Sequence, residues 1–193
     1  MIKIKVSLLD DLYKKIAETY PLYLPVEVAG EVNYGKYNSD SKVRLDVLKT
    51  VKSPKDAFFP QSENLVKFKV DGQKIEVIDV REEAKPFVVM GVRACDYKAF
   101  DVLDRVFLVD PLDTYYQTKR EAGIVVTAAC GRPDEARCGR KTGFRARWSA
   151  SGRIAAWKIS PHRFILHHRS NDFARPLDWV LPVAASRTDS AAV

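Results

Sequence analysis

The most constraining stretch of this 193-residue chain is a pair of uninterrupted apolar runs separated by one helical segment. Phe87, Val88, Val89, Met90, Gly91 and Val92 follow Pro86 without a polar residue, and Ile124, Val125, Val126, Thr127 and Ala128 form a second run. A strand with one wetted face would alternate apolar and polar residues, so an unbroken run fits a strand covered on both sides. Between the runs, Ala99, Phe100, Leu103 and Val106 recur at helical spacing over residues 96–107, and a further short helix is expected at 113–121. Strand, helix, strand over this distance is a βαβ unit, which predicts a parallel sheet here.

Other segments add detail. Leu9, Leu12, Tyr13, Ile16, Ala17 and Tyr20 mark an amphipathic helix that ends at Pro21, with Ser7 and Asp10 spaced as a capping box. Residues 22–50 read as short strands around the polar loop Asn38-Ser39-Asp40-Ser41. Val66 to Val70 and Lys74 to Ile78 alternate on either side of Asp71-Gly72, the pattern of a β-hairpin. The expected fold class is α/β: a mixed, partly parallel sheet with flanking helices and a β-hairpin, followed by an irregular basic tail.

The tail is set apart by composition. Residues 1–135 carry 21 Lys and Arg against 22 Asp and Glu, whereas residues 136–193 carry 11 against 3. The formal net charge of +7 therefore belongs to the last 58 residues. All eight Tyr precede residue 117, and all three Trp and all three His follow residue 147. Two units are expected, an α/β domain over 1–135 and an atypical, poorly ordered basic tail over 136–193. The start, Met1-Ile2-Lys3-Ile4-Lys5, lacks the apolar core of a signal peptide, and no apolar run reaches bilayer-spanning length. A cytoplasmic protein without membrane contact is expected. No nucleic-acid motif accompanies the tail arginines, so no specific nucleic-acid role is expected.

Candidate chemistry gathers at two cysteines. Cys95 follows the first apolar run and Cys130 the second, so both thiols are expected beyond the carboxyl ends of neighbouring strands, where open α/β sheets bind ligands. Cys95 also starts a helix, whose dipole favours thiolate. Cys138 closes a loop that begins at Cys130. For each cysteine, metal ligation stands beside plain burial as a small residue. His162, His167 and His168 have no second ligand pair at a helpful spacing and read as a solvated cluster. With no Gly-x-Ser-x-Gly elbow and no phosphate-cradling glycine loop, no catalytic residue is nominated.

Three stretches together carry a resemblance: residues 53–63 (Ser-Pro-Lys-Asp-Ala-Phe-Phe-Pro-Gln-Ser-Glu), Gly91-Val92-Arg93-Ala94-Cys95-Asp96, and residues 129–135 (Ala-Cys-Gly-Arg-Pro-Asp-Glu). In order and spacing they resemble the amino-terminal domain of 4Fe–4S dicluster electron-transfer subunits. That group includes the β subunit of cytoplasmic sulfhydrogenases (hydrogenase/sulfur reductase) and the corresponding iron–sulfur subunit of anaerobic sulfite reductase. The resemblance covers about residues 5–135. It implies a [4Fe–4S] cofactor, with Cys130 the first ligand candidate, Cys95 the second, Arg93 and Asp96 lining the same turn, and Cys138 a replacement for a lost ligand. It also implies two partners, a flavin and NAD(P)-binding subunit together with a catalytic subunit. The family's loop continues Glu-Thr-Cys-Phe-Cys-Gly and leads to a ferredoxin-like domain. This chain instead reads Ala136-Arg137-Cys138-Gly139 and has no later cysteine. A frameshift or fusion near residue 136 is the expected cause. The other reading is a non-redox interaction domain that has lost its clusters.

Overall fold

The computed structural model describes residues 2–47, 49–81, 84–128, 154–160 and 163–168. The two apolar runs are strands β7 (Phe87–Arg93) and β8 (Gly123–Ala128), paired in parallel with Val88 opposite Ile124 and Met90 opposite Val126. Between them lie α2 (Ala94–Phe107) and α3 (Thr114–Ala122). Upstream come β1 (Ile2–Lys5), α1 (Leu9–Thr19), β2 (Leu22–Val28), β3 (Glu31–Lys36), β4 (Lys42–Val43), and the hairpin strands β5 (Val66–Asp71) and β6 (Lys74–Asp79). Among the described residues, one sheet runs in the order β1-β10-β9-β8-β7-β2-β3, with β4 also on β2; β9 is Ile154–Ser160 and β10 is Arg163–His168. The strands β2, β7, β8 and β9 are parallel and the outer pairings are antiparallel. The fold class is the mixed α/β sheet with flanking helices and a separate hairpin that the sequence predicts.

The sheet has a core on each face, and alternation along the central strands assigns residues to them. Val88 and Met90 of β7 join Ile124 and Val126 of β8, Leu22, Leu24 and Val26 of β2, and Leu12, Tyr13 and Ile16 of α1. Val89 and Val92 of β7 join Val125, Phe58, Phe100 of α2 and Tyr116 of α3. Strict alternation would have put Val92 with Val88 and Met90. It changes sides because β7 is bulged at Gly91, where the register slips between Met90 and Val92. Gly91 has φ +86°, and a β-carbon there would come within 2.6 Å of Leu45 Cδ2. The left-handed backbone favours glycine, and any side chain there would also have to displace the end of Leu45.

The motif at 53–63 also belongs to this core. Ser53 caps a 3₁₀ turn over Pro54–Ala57, its hydroxyl accepting from the Lys55 amide. The turn delivers Phe58, fully buried between Phe87 (centroids 5.1 Å) and Phe100 (4.9 Å). Phe59 stacks on Phe107 at 4.6 Å. On the same side Asp104 accepts from the Tyr116 hydroxyl at 2.6 Å and from Arg120 Nε at 3.0 Å, while the Arg120 guanidinium lies over Phe100.

Two expectations need adjusting. Ser7 does not cap α1: residues Val6–Leu8 form a 3₁₀ turn into the helix, whose start has no side-chain cap. The strand β3 falls within the 22–50 segment read as short strands, and its polar composition suits an edge strand. Within the tail, where irregular chain is expected, 154–160 and 163–168 are strands: β9 pairs with β8 and β10 with β1. Two-strand patterns this short, in Arg-rich surroundings, carry too little periodicity to be read from sequence.

The bulge gives a stability test. Gly91→Ala places a side chain at positive φ against Leu45, and we expect a loss of roughly 1–3 kcal/mol in chemical denaturation.

Candidate functional site

The sequence puts the candidate site where β7 ends and α2 begins, and the local structure follows from that junction. Arg93 is the last residue of β7 and caps α2 in extended conformation (φ −73°, ψ 152°), so Cys95 and Asp96 fall in the helix's first turn. Cys95 is exposed. This rules out the plain burial left open for it by the sequence and leaves its thiol at the positive end of the helix dipole.

Arg93 is 9% exposed. Its Nη2 donates to the carbonyls of Leu45 (2.5 Å) and Val47 (2.8 Å). The guanidinium thus fastens the 44–47 segment, whose Arg44 amide bonds Pro25 O, onto the end of β7. Arg93 is a positioning residue at the turn, with two of its donor bonds spent on that segment.

Asp96 is half-buried, and burial raises its carboxyl above the ordinary range although Lys55 and Arg93 pull the other way. Tyr34 of β3 is a residue the sequence did not nominate. Burial pushes its hydroxyl well up, with the charges of Asp96 and Cys95 adding and Arg93 opposing. The site therefore joins Cys95, Arg93 and Asp96 to Tyr34 and Lys55. Tyr34 carries no sequence signal and arrives by β3 pairing on β2; Lys55 belongs to the 53–63 stretch and arrives on its 3₁₀ turn.

On the neighbouring strand, Ala128 is in register with Arg93. Adjacent strands lie about 4.8 Å apart, so the backbone leaves β8 beside the start of α2. Cys130 is two residues further along, and both Cys130 and Cys138 lie outside the described residues, as does His162. His167 and His168 fall in β10. Among the described residues no group of three or more His, Cys, Asp or Glu side chains is arranged to hold a metal ion. A [4Fe–4S] cluster takes four thiolates, and the chain has three cysteines. The donor set in this chain is one short, so its residues alone do not fit a complete cluster site. No helix among the described residues is long and apolar enough to cross a membrane.

Two substitutions separate the roles of these residues. Arg93→Ala leaves two carbonyls without their donor, and we expect a loss of about 2 kcal/mol in denaturation, with faster amide exchange at Arg44. Asp96 binds its proton more readily folded than unfolded, so wild-type stability falls as pH rises from the unfolded carboxyl's pKa through the raised folded one. Asp96→Asn removes that loss: melting across this window should show the variant gaining on wild type as pH increases.

No family model matches the chain, and no solved structure matches it significantly. Over 134 residues, 69% of its length, the chain is 30% identical to sulfhydrogenase 2 subunit beta of Pyrococcus furiosus. The match spans 38% of that relative. Through this matched stretch, the chain is similar to part of a sulfhydrogenase β subunit.

Proposed function

We propose that residues 1–135 are the amino-terminal domain of an electron-transfer subunit in a hydrogenase-like oxidoreductase complex. The observation that carries this reading is the similarity to a sulfhydrogenase β subunit over 134 residues. An exposed helix-start thiol beside the exit of β8 is consistent with it. In this reading the chain performs no terminal chemistry. It holds redox centres in place between two partners, one binding flavin and NAD(P) and the other catalytic. Cys130, Cys95 and Cys138 are the proposed cluster thiols, and a fourth ligand must come from outside this chain.

The relative's length supports a companion proposal about the tail. Since 134 residues are 38% of the relative, about 220 of its residues have no counterpart in the match. We read residues 136–193 as a frameshifted or fused replacement for the relative's continuation. Sequencing the gene across codons 125–145 tests this: a second frame that continues with Cys-Phe-Cys and two Cys-rich runs supports it, and no such frame removes it.

The functional test is anaerobic reconstitution of the full chain with iron, sulfide and an external thiol that can supply the fourth ligand. A brown protein with broad thiolate-to-iron absorbance, lost in Cys130→Ser and weakened in Cys95→Ser, is the expected result. A chain that stays colourless is instead a non-redox interaction domain.

A further inference from the structure

Two strands of the basic tail stand inside the sheet. In the order β1-β10-β9-β8-β7-β2-β3 they separate the amino-terminal strand β1 from the parallel strands. β10 runs antiparallel to β1, with Ile2 opposite Leu166, Lys3 opposite Ile165 and Ile4 opposite Phe164. β9 runs antiparallel to β10, with Trp157 opposite Ile165. On its other side β9 runs parallel to β8, with Ile154, Ala155 and Ala156 opposite Val126, Thr127 and Ala128.

This order makes β1 dependent on the tail. Among the described residues, β10 is the one strand paired with β1. Three ladder steps separate β1 from β8, about 14 Å, so the two do not pair directly. The backbone ladder of β1 reaches the parallel strands through β10 and β9.

The composition of the strands fits the same order. β8 reads Gly-Ile-Val-Val-Thr-Ala, is buried throughout and carries no charge. As the last strand of a sheet it would offer unpaired amides and carbonyls along an apolar run, which is a template for pairing with another chain. The observed edges are of the opposite kind. β1 reads Ile-Lys-Ile-Lys, and β3 reads Glu-Val-Asn-Tyr-Gly-Lys. Charged residues on an edge strand discourage strand addition. With β9 and β10 in place, the apolar strand is inside and the charged strands are outside.

We infer that β9 and β10 are a strap, which closes the open side of β8 against strand addition and ties β1 to the parallel strands. The folded unit then runs through His168, past the composition break at residue 136. The strap also reaches the candidate site's end of the sheet, since Ala156 lies opposite Ala128 and Ala128 opposite Arg93. It belongs to the translated chain, whichever frame or fusion supplied residues 136–193.

The test is amide hydrogen exchange on the full chain. In wild type, the amides of β9, β10 and β1 are expected to exchange at least about a hundredfold slower than unstructured chain. Ala155→Pro and Ile165→Pro each remove a ladder donor from an inner strand. Ala155→Pro is expected to speed exchange within residues 126–128, and Ile165→Pro within β1, each by at least about tenfold. Val70→Pro, in the separate β5–β6 sheet, is the control and should change neither. Melting curves confirm that the variants fold. Where a proline variant does not fold, wild type in rising denaturant decides. Loss of protection by β1, β9 and β10 together supports the strap, and protection of β1 that outlasts that of β9 and β10 overturns it. Wild-type β9 and β10 amides that exchange as unstructured chain also overturn it, as do folded proline variants with β1 and β8 unchanged. Protection found only in a dimer assigns the two strands to a second copy and overturns a strap within one chain.

Discussion

The structure depends on the parallel pairing of β7 with β8 and on the bulge at Gly91 that changes its phase. Both strands are buried on both faces, so the side chains along them belong to one core or the other. Before the bulge, Val88 and Met90 serve the α1 side and Val89 the α2 side; after it, Val92 serves the α2 side. The same shift lets Arg93 reach the Leu45 and Val47 carbonyls, and it fixes where α2 starts. The position of Cys95 is thus a consequence of one glycine near the end of a strand.

Around that pair the two ends of the domain do different work. At the carboxyl ends, one thiol stands in a helix's first turn, with a half-buried tyrosine and an acid made reluctant to ionise by burial. At the amino ends, aromatic packing of Phe58 with Phe87 and of Phe59 with Phe107 supports α3, and α3 carries the hairpin.

The family motifs take on physical meaning in this arrangement. In residues 53–63, Ser53 caps, Pro54 starts a 3₁₀ turn and Phe58 fills the space left by the absence of a side chain at Gly123. That stretch is a packing element. In residues 91–96, the glycine shapes the bulge, the arginine fastens a neighbouring segment, and the cysteine is presented to solvent. Chemistry and scaffolding are thus interleaved within one short stretch.

Periodicity alone determined the βαβ unit, α1 and the β5–β6 hairpin, because burial on both faces, on one stripe or on alternate positions each imposes its own repeat on the residues. It also located Cys95 and its neighbours, since chain order places them directly after a strand whose extent is legible. Only tertiary structure decided that Tyr34 and Lys55 join that site, because strand pairing and a turn bring them from distant positions in the sequence. It likewise decided that Arg93 binds backbone carbonyls and that the hairpin's apolar face stays uncovered. An alternating strand pattern declares which side chains share a face but carries no information about what packs against it.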